Sequence, residues 1–504
     1  MKRLIAIISL FSLFSIVPIT VEAAGNNTLS ISSVTVNKAN VYNTSKSSSQ
    51  VISVLKKGEE YPIVGSAIGD STTPIIHTVV SGNTLWILAN QYGVSISELQ
   101  KENRLTSTNL KIGQKIKIPQ KYTIHSVIAK DTLWKIATKY AVTVNDLVKL
   151  NNLKSTSLYI GQKIKIPDYY YQIQLLEGKK GFIQRSKIVV KTQKRILLGW
   201  NYNGTTDSLI QQNKQPNLNV VSPRWYTLNN ADSVVTNSAD SRLVQSAHAE
   251  GKQVWPLFGN KFDPVLTDSV LSDAQKRQKL VTSLRDSLRQ NGSDGINVDF
   301  ENMDIKNKSD YVQFIRELKA ALQPYGILVS VDVTRENEDP FWSGSFDRRE
   351  LGKVADYIVL MGYDEHWGGS PVAGSVASLP WLRDGIELLM RDVPSHKIIL
   401  GIPFYTREWV TNLSTNKVRS YDRTMKEVEA IIAAKGLQKT WDSKTSQNYV
   451  EYTENGEKHQ IWVEDKTSIQ HRMNYVNQYH LRGAAAWYIG SETQDVWAIF
   501  DSYR

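Results

Sequence analysis

The sequence predicts an α/β protein whose largest part is a (β/α)8 barrel of the TIM type, over residues 195–504. From residue 196 onward, short apolar segments alternate with amphipathic helical segments, which is the pattern of strand–helix units around a parallel sheet. Eight such segments can be counted, which is the number that closes a barrel. Their predicted starts are Ile196, Val220, Gln253, Gly295, Ile327, Tyr357, Lys397 and Gly483. At 504 residues the chain also exceeds what one hydrophobic core organises, so we expect further domains before the barrel.

The connection between predicted strands seven and eight is too long for an ordinary loop. Residues 405–480 separate these strands, whereas connections in α/β units have about 2 to 6 residues. Within this segment, residues 425–435 read as a helix, and Asn455-Gly456 predicts the turn of a β-hairpin. We therefore expect a small α+β insertion subdomain over residues 405–480 that walls one side of the barrel mouth.

The N-terminus has the features of a secretory signal. Two basic residues precede an apolar run from Leu4 to Val17, and Val21-Glu22-Ala23 places small residues where cleavage occurs. We expect a signal peptide over residues 1–23 and an exported protein with no transmembrane segment after cleavage. An uncleaved anchor is the alternative, although the apolar run is shorter than the roughly 20 residues that span a bilayer.

Charge and cysteine content limit the classes of partner and site. The chain has no cysteine, which excludes a disulfide framework and thiolate metal sites. Residues 1–190 carry 23 Lys and Arg against 10 Asp and Glu, leaving 37 against 39 for the rest. A basic N-terminal part suggests contact with an anionic surface such as a wall polymer, and export argues against nucleic acid. A charged surface that only aids solubility is the alternative.

The basic part contains an internal duplication. Residues 77–119 match residues 125–167 at a constant offset of 48 without a gap. Thr84-Leu85-Trp86 corresponds to Thr132-Leu133-Trp134, and the segment 112–119 corresponds to 160–167. Each copy predicts a short strand, a helical stretch and a closing Ile-Lys-Ile strand, in the order βααβ.

These repeats, bounded as 76–119 and 122–167, resemble the LysM module over its full length. The resemblance implies binding of glycans that contain N-acetylglucosamine, such as peptidoglycan or chitin. The implied groove includes the turn Gly82, Asn83 and Thr84 in the first copy and Asp131 and Thr132 in the second. We expect Trp86 and Trp134 to pack in the repeat cores rather than to stack on sugars.

Two segments flank the repeats, residues 30–75 and 168–190, and each looks incomplete alone. Together they resemble one bacterial SH3-like β-barrel interrupted by the repeats, which would serve wall attachment rather than catalysis. Two unrelated linker strands are the alternative.

The predicted fourth barrel strand carries polar residues on one face. In the segment 294–301, a period of two places Asn297, Asp299 and Glu301 on the interior face, with apolar residues between them pointing outward. An acidic group inside a barrel is costly unless it is functional or paired. Because barrel active sites lie at the carboxyl ends of strands, these residues predict a catalytic site there. A purely structural ion network is the alternative.

This strand resembles the Asp-Gly-x-Asp-x-Asp-x-Glu motif of glycoside hydrolase family 18, and the resemblance extends over about residues 195–504. Met361-Gly362-Tyr363-Asp364 is similar to the strand-six pattern of that family. Trp487, at the predicted end of strand eight, matches the tryptophan that floors the sugar site.

The resemblance implies a retaining mechanism in which the 2-acetamido carbonyl of the substrate is the nucleophile. It implies that Glu301 is the general acid and base, that Asp299 orients the acetamido N–H, and that Tyr363 hydrogen-bonds the acetamido oxygen. Asp364 would help to hold the distorted sugar. The further implied substrate-binding residues are Met361, Trp487 and Asp294.

Asn297 departs from the family motif, which commonly has aspartate at this position. An amide can hydrogen-bond Asp299 but cannot accept its proton. This departure, with the segments 362–367, 379–381 and 401–403, is most similar to the branch of spore cortex-lytic and LysM-bearing N-acetylglucosaminidases. Peptidoglycan is therefore the implied substrate, and a chitin or chito-oligosaccharide hydrolase or a non-catalytic glycan-binding protein are the alternatives.

Other residue types point to no further chemistry. The eight histidines form no metal-ligand spacing and no glycine-rich phosphate loop is present, so no cofactor is implied. Four tryptophans near predicted strand ends could either stack on sugars or pack in the core: Trp225, Trp255, Trp367 and Trp409.

Overall fold

The computed structural model describes residues 28–44, 49–67, 75–92, 96–118, 122–140, 142, 144–167 and 170–500. The predicted signal peptide, residues 1–23, lies outside the described residues. Within the described ranges, no helix has both the length and the apolar character needed to cross a membrane.

Four strands come first, and two small units of the order βααβ follow. The strands are β1 (Thr28–Val34), β2 (Lys38–Tyr42), β3 (Val51–Lys56) and β4 (Glu60–Ala67). The first unit has β5 (Ile75–Thr78), α1 (Leu85–Tyr92), α2 (Ile96–Asn103) and β6 (Lys115–Ile118). The second has β7 (Tyr122–Ser126), α3 (Leu133–Tyr140), α4 (Val144–Asn151) and β8 (Lys163–Pro167). In each unit the two strands pair antiparallel. The two units bury equivalent apolar positions, such as Leu88 in the first and Ile136 in the second.

Three strands then return to the first four: β9 (Tyr170–Gln174), β10 (Lys180–Gln184) and β11 (Ile188–Lys194). Together they form one seven-stranded sheet in the order β11-β1-β4-β9-β10-β2-β3. The segments on both sides of the repeats thus share one core, in which Val41 and Leu55 meet Ile173 and Ile183. The SH3-like identity of this N-terminal sheet stays a prediction.

The barrel elements follow in order along the chain. They are β12 (Ile196–Asn201), α5 (Thr206–Gln212), β13 (Val220–Leu228), β14 (Val235–Asn237), α6 (Ser241–Ala249), β15 (Gln253–Val254), β16 (Leu257–Gly259), α7 (Pro264–Leu271), α8 (Ala274–Asn291), β17 (Gly295–Asp299), α9 (Lys308–Leu322), β18 (Leu328–Thr334), α10 (Arg348–Val354), β19 (Tyr357–Met361), α11 (Leu379–Leu389) and β20 (Ile398–Pro403).

A five-stranded antiparallel sheet with one helix is inserted after β20. Its elements are β21 (Tyr405–Asn412), β22 (Val418–Thr424), α12 (Met425–Lys435), β23 (Thr440–Asp442), β24 (Gln447–Glu454) and β25 (Glu457–Val463). The predicted hairpin is present: β24 and β25 pair on either side of Asn455-Gly456, and both residues have the positive φ that a tight hairpin turn requires. The chain then returns through α13 (Lys466–Gln478), β26 (Gly483–Trp487) and α14 (Trp497–Phe500).

The parallel strands close into a ring, which confirms the predicted (β/α)8 barrel. Seven positions are single strands, and the third is shared by the short strands β15 and β16. Closure occurs because β12 pairs with β13 on one side and with β26 on the other. Outward-facing residues such as Ile296 and Val298 pack under the helices, while Trp200, Val359 and Ile399 fill the interior.

The N-terminal sheet contacts the barrel near the start of β20. The side-chain amide of Gln174 donates hydrogen bonds to Ser395 Oγ (3.4 Å) and to the carbonyl of Tyr479 (3.2 Å). The backbone N–H of Glu177 donates to the carbonyl of Met390 at 2.9 Å. Because these barrel residues precede or lie beside the amino ends of strands, the contact leaves the opposite, carboxyl-end mouth open.

Candidate active site

The end of β17 places the predicted acids at the barrel mouth. Asp299 is the last residue of the strand and Glu301 follows two residues later, while Phe300 between them packs outward in the core. Asn260, beyond β16, holds the backbone of Glu301 in place. Its Oδ1 accepts the N–H of Glu301 at 3.1 Å, and its Nδ2 donates to the carbonyl of Glu301 at 2.8 Å.

The electrostatic environment favours a protonated Glu301. Burial raises the pKa of Glu301 well above its usual value, and the negative charges of Asp299, Asp332 and Asp364 raise it further. Burial also raises the pKa of Asp299 to about 6, and the positive charge of Arg224 opposes that rise. An acid that retains its proton near neutral pH is suited to protonate a leaving group.

Asn297 lies deeper in the barrel and is fixed by three hydrogen bonds. Its Oδ1 accepts from Trp200 Nε1 at 2.7 Å, and its Nδ2 donates to Ser330 Oγ (3.0 Å) and to Asp332 Oδ1 (2.6 Å). Asn297 thus bonds to Trp200 on β12 and to the adjacent strand β18 rather than to Asp299. One oxygen of Asp299, Oδ1, is buried and has no hydrogen-bond partner among the described residues.

An aromatic floor lies beside the acids. The rings of Tyr363 and Trp487 stack with centroids 6.3 Å apart and an interplanar angle of 24°. Tyr202 contacts Trp487 edge-on at 5.5 Å, and the guanidinium of Arg224 lies 5.3 Å from the Tyr202 ring centroid. Met361, at the end of β19, is buried. The structure thus brings Tyr363 and Trp487 together near Glu301 and Asp299.

The insertion completes the cluster around Asp364. The hydroxyl of Tyr405 donates to Asp364 Oδ1 at 2.6 Å, and the guanidinium of Arg407 donates to the same oxygen at 2.8 Å. Arg407 also pairs with Asp422 on β22. Asp364 itself has a left-handed backbone, with φ of 63°. The inserted strands therefore orient a side chain of the barrel mouth.

Asp332, Tyr405 and Arg407 are among the site residues that were missed at the level of the sequence. The alternation Ser-Val-Asp-Val-Thr over residues 330–334 signals that Asp332 shares an inward face with Ser330, and residues 405 and 407 likewise share one strand face. The partners of these residues lie 35 to 43 positions away in the sequence, so no local pattern could identify them.

Asp294 does not belong to the site, which corrects the implied substrate-binding set. It precedes β17 and lies at the amino end of that strand, opposite the mouth. Its Oδ2 accepts the N–H of Val254 at 2.8 Å and contacts the ring of His248 at 2.9 Å. A strand has two ends, and only residues at its carboxyl end reach a barrel active site.

Most of the candidate tryptophans of the barrel are core residues. Trp225, Trp255 and Trp409 are buried, and the indole N–H of Trp409 donates to the carbonyl of Gly374 at 2.7 Å. Trp367 differs from them, since it is 60% exposed in the loop after β19. Among these four residues, only Trp367 is available to contact a sugar.

The expectation that Trp86 and Trp134 pack in the repeat cores is wrong. They are 65% and 68% exposed. The buried face of α1 carries Leu85 and Leu88, and one step along a helix turns a side chain by about 100° away from that face. The tryptophan after the first leucine consequently points to solvent in both copies.

The predicted turn residues of the repeats are engaged in local hydrogen bonds. Asn83 Oδ1 accepts the N–H of Val80 at 3.0 Å, and its equivalent Asp131 accepts the N–H of Ile128 at 2.9 Å. Two hydroxyls cap the following helices, with Thr84 Oγ1 accepting from Ile87 and Thr132 Oγ1 from Lys135, both at 3.1 Å. Gly82 adopts a φ of 86°, which favours glycine. These residues shape the turn, and their contact with glycan stays a prediction.

Comparison with known protein families assigns both parts of the chain. The family described as "Glycosyl hydrolases family 18" matches residues 190–492, which is more than half of the chain. The LysM domain matches residues 77–119 and 125–167. The predicted resemblances to glycoside hydrolase family 18 and to the LysM module are thereby confirmed at the level of the family.

Curated relatives and solved structures are similar to the same region. An uncharacterized glycosylase, YvbX, of Bacillus subtilis is 27% identical over 273 residues, which are 51% of this chain and 77% of that protein. The cortical fragment-lytic enzyme of Bacillus subtilis is 25% identical over 249 residues, 48% of this chain, and the match spans only 57% of that enzyme.

Among solved structures, the spore cortex-lytic enzyme SleL of Bacillus cereus aligns with a TM-score of 0.57 at 22% identity, covering 85% of this chain and 98% of that one. A chitinase from Chromobacterium violaceum aligns with a TM-score of 0.56 at 24% identity, covering 61% and 98%. At these identities the solved structures support the fold alone.

Proposed function

The chain belongs to glycosyl hydrolases family 18, and from this premise we propose that it is an exported N-acetylglucosaminidase that hydrolyses β-1,4 bonds in peptidoglycan. The observation that carries the proposal is the Glu301 carboxyl, whose raised pKa keeps a proton at the barrel mouth beside Asp299 and above the aromatic floor. The substrate would be cell wall or spore cortex.

In the proposed reaction the substrate supplies its own nucleophile. Glu301 donates its proton to the glycosidic oxygen while the 2-acetamido carbonyl oxygen of the sugar attacks the anomeric carbon. The carboxylate of Glu301 then removes a proton from the water that opens the cyclic intermediate, and the anomeric configuration is retained. A single carboxylic acid thus serves as acid and then as base.

Two neighbours would hold the acetamido group during this attack. The buried Oδ1 of Asp299 has no partner among the described residues, so it is free to accept the acetamido N–H. Burial and the nearby carboxylates raise the pKa of Tyr363 well above its usual value, so its hydroxyl keeps a proton to donate to the acetamido oxygen. Trp487 would pack against the apolar face of the same sugar.

The N-terminal part would deliver the enzyme to the wall. The LysM repeats would bind the glycan strands, and the basic N-terminal charge would favour anionic wall polymers over neutral chitin. The similarity to cortical fragment-lytic enzymes supports a peptidoglycan substrate, and the predicted signal peptide supports an exported protein associated with the wall or the spore. The N-terminal sheet, if SH3-like, would add to this attachment.

The proposal is tested by digesting purified vegetative peptidoglycan, spore cortex and chitin, followed by mass spectrometry of the released ends. The wild type should release fragments with reducing N-acetylglucosamine from peptidoglycan or cortex, and Glu301→Gln should not. Glu350→Gln is the matched control, since it changes a glutamate on α10, in the outer layer of helices around the barrel. Products from chitin alone would assign the enzyme to chitin, and no product from any glycan would contradict a catalytic function.

A further inference from the structure

We propose that Asp332 is a positioning residue that shares a proton with Asp299, and that it supplies on β18 the second acid that β17 lacks at Asn297. The inference rests on the proposed glycosidase function and concerns how its active site holds protons.

The strand register places the two aspartates side by side. Strands β17 and β18 are parallel, with Asn297 opposite Ser330 and Val298 opposite Val331. One step further along this register brings Asp299 beside Asp332. Val329, Val331 and Val333 face the outer core, so Ser330 and Asp332 face the interior. Neighbouring strands lie about 4.8 Å apart, which brings two inward carboxyls within direct electrostatic reach.

The environment of this pair disfavours two full negative charges near neutral pH. Asp332 is only 2% exposed, and burial raises its pKa well above the usual value, with a further rise from the charge of Asp299. Two neighbouring carboxyls in a largely buried site retain one proton between them, because the second ionisation would place like charges close together. The unpartnered Oδ1 of Asp299 leaves an acceptor on its side of the pair.

Asn297 fixes the orientation of Asp332 without titrating. Its amide is anchored by Trp200 and Ser330 and donates a 2.6 Å hydrogen bond to Asp332 Oδ1. The donated bond opposes the rise in the pKa of Asp332, so this carboxyl can also carry the negative charge. The amide therefore connects β17 and β18. The acid that the family motif has at position 297 is replaced here by Asp332 on the neighbouring strand.

The shared proton has a defined place during the reaction. While Asp299 accepts the acetamido N–H as a carboxylate, the proton of the pair resides on Asp332. When Glu301 has given its proton to the leaving group, no proton leaves the pair, and Glu301 recovers its own from water. The charge of Asp332 also raises the pKa values of three other titratable groups. These are Glu301 in the loop after β17, Tyr311 on α9 and Tyr363 in the loop after β19.

The test moves the acid back to β17. We compare wild type, Asp332→Asn, the transposed double variant Asn297→Asp/Asp332→Asn, and Ser330→Ala, measuring kcat against pH on soluble glycan chains from purified peptidoglycan. Ser330→Ala is the matched control, because it removes the other acceptor of the Asn297 amide and leaves the number of acids unchanged.

In Asp332→Asn, residues 299 and 332 can no longer carry two negative charges at high pH, so the pKa of Glu301 falls. The basic limb of the kcat–pH profile should therefore move down by about one pH unit. The double variant should return this limb to the wild-type position, and Ser330→Ala should not move it. The proposal is overturned if Asp332→Asn lowers kcat without moving the limb, or if the double variant titrates like Asp332→Asn.

A readout that needs no substrate separates this inference from the proposed function. A carboxyl whose folded pKa is raised lowers stability as pH rises from its unfolded value toward its folded value. The wild type should therefore lose Tm relative to Asp332→Asn as the pH rises above about 4, with Ser330→Ala parallel to wild type. Parallel curves for all three would contradict the inference, whereas inactivity of the wild type on every glycan would contradict only the proposed function.

Discussion

The barrel mouth and the turns of the repeats both carry polar side chains that were predicted to meet glycan, and they differ in how those side chains are satisfied. In the repeats, Asn83 and Asp131 accept backbone N–H groups within their own turn. At the mouth, Asp299 has a buried oxygen without a described partner, and Glu301 is kept protonated by burial and by three other carboxyls. Polar side chains whose hydrogen bonds are all made within their own turn shape the surface of the repeat. Buried acids that lack hydrogen-bond partners and have raised pKa values are suited to proton transfer.

The largest effect is expected from Tyr363→Phe at the mouth. The change removes one hydroxyl that would stabilise charge on the acetamido oxygen, and loss of one such donor costs about 100- to 1,000-fold in kcat. Steady-state kinetics on soluble glycan chains would measure it. Tyr421→Phe, on an exposed tyrosine of β22, is the control and should keep wild-type kcat. A Tyr363→Phe enzyme with wild-type kcat would remove this residue from the chemistry.

In the repeats, Asp131→Ala should act on stability and not on chemistry. It removes the acceptor of the Ile128 N–H and the contact with His125, which together form the turn. Loss of such a local acceptor costs about 1 kcal/mol of unfolding free energy in the second repeat. Thermal unfolding of the full chain measures the loss, and kcat on soluble glycan should be unchanged. Asp131→Asn is the matched control, because the first repeat has Asn83 at the equivalent position; a loss of kcat would contradict the comparison.

A smaller effect is expected from Arg224→Gln at the rim of the mouth. The positive charge of Arg224 lowers the pKa of Asp299, so its removal raises that pKa. In the proposed mechanism Asp299 acts as a carboxylate, so activity should be lost on the acidic side, and the acidic limb of the kcat–pH profile should move up by about a few tenths of a pH unit. The guanidinium is exposed, so the shift should shrink in about 1 M salt. A shift toward lower pH would contradict the assignment of Asp299 as the ionised partner.

The smallest expected effect on folding is that of Trp86→Ala and Trp134→Ala. Both side chains are exposed, so each change should alter the unfolding free energy by no more than about 0.5 kcal/mol. Co-sedimentation with insoluble peptidoglycan should weaken, because an exposed aromatic ring offers a platform for a sugar. A loss of more than about 2 kcal/mol in unfolding free energy would instead indicate that both side chains pack in the repeat cores.

Local periodicity was sufficient wherever neighbours along the chain decide the outcome. The predicted strand starts lie within one residue of the first residues of β12, β13, β15, β17, β18, β19, β20 and β26. A buried parallel strand is recognisable in the sequence because it is a short apolar run. The period of two also placed Asn297, Asp299 and Glu301 on one face. Asp294 was assigned to the site only from the resemblance to the family motif, and it precedes the amino end of the strand, opposite the site.

What the sequence by itself determined is therefore the set of elements: eight barrel strands, a duplicated unit with a period of 48, and the acids at the end of β17. Only the tertiary structure decided which inward faces meet. Pairing of β17 with β18 brings Asp332 beside Asn297 and Asp299, and the inserted sheet returns Tyr405 and Arg407 to Asp364. These contacts depend on which strands pair and on where long connections bring the chain back. Their partners are far apart in the sequence, so no local periodic pattern predicts them.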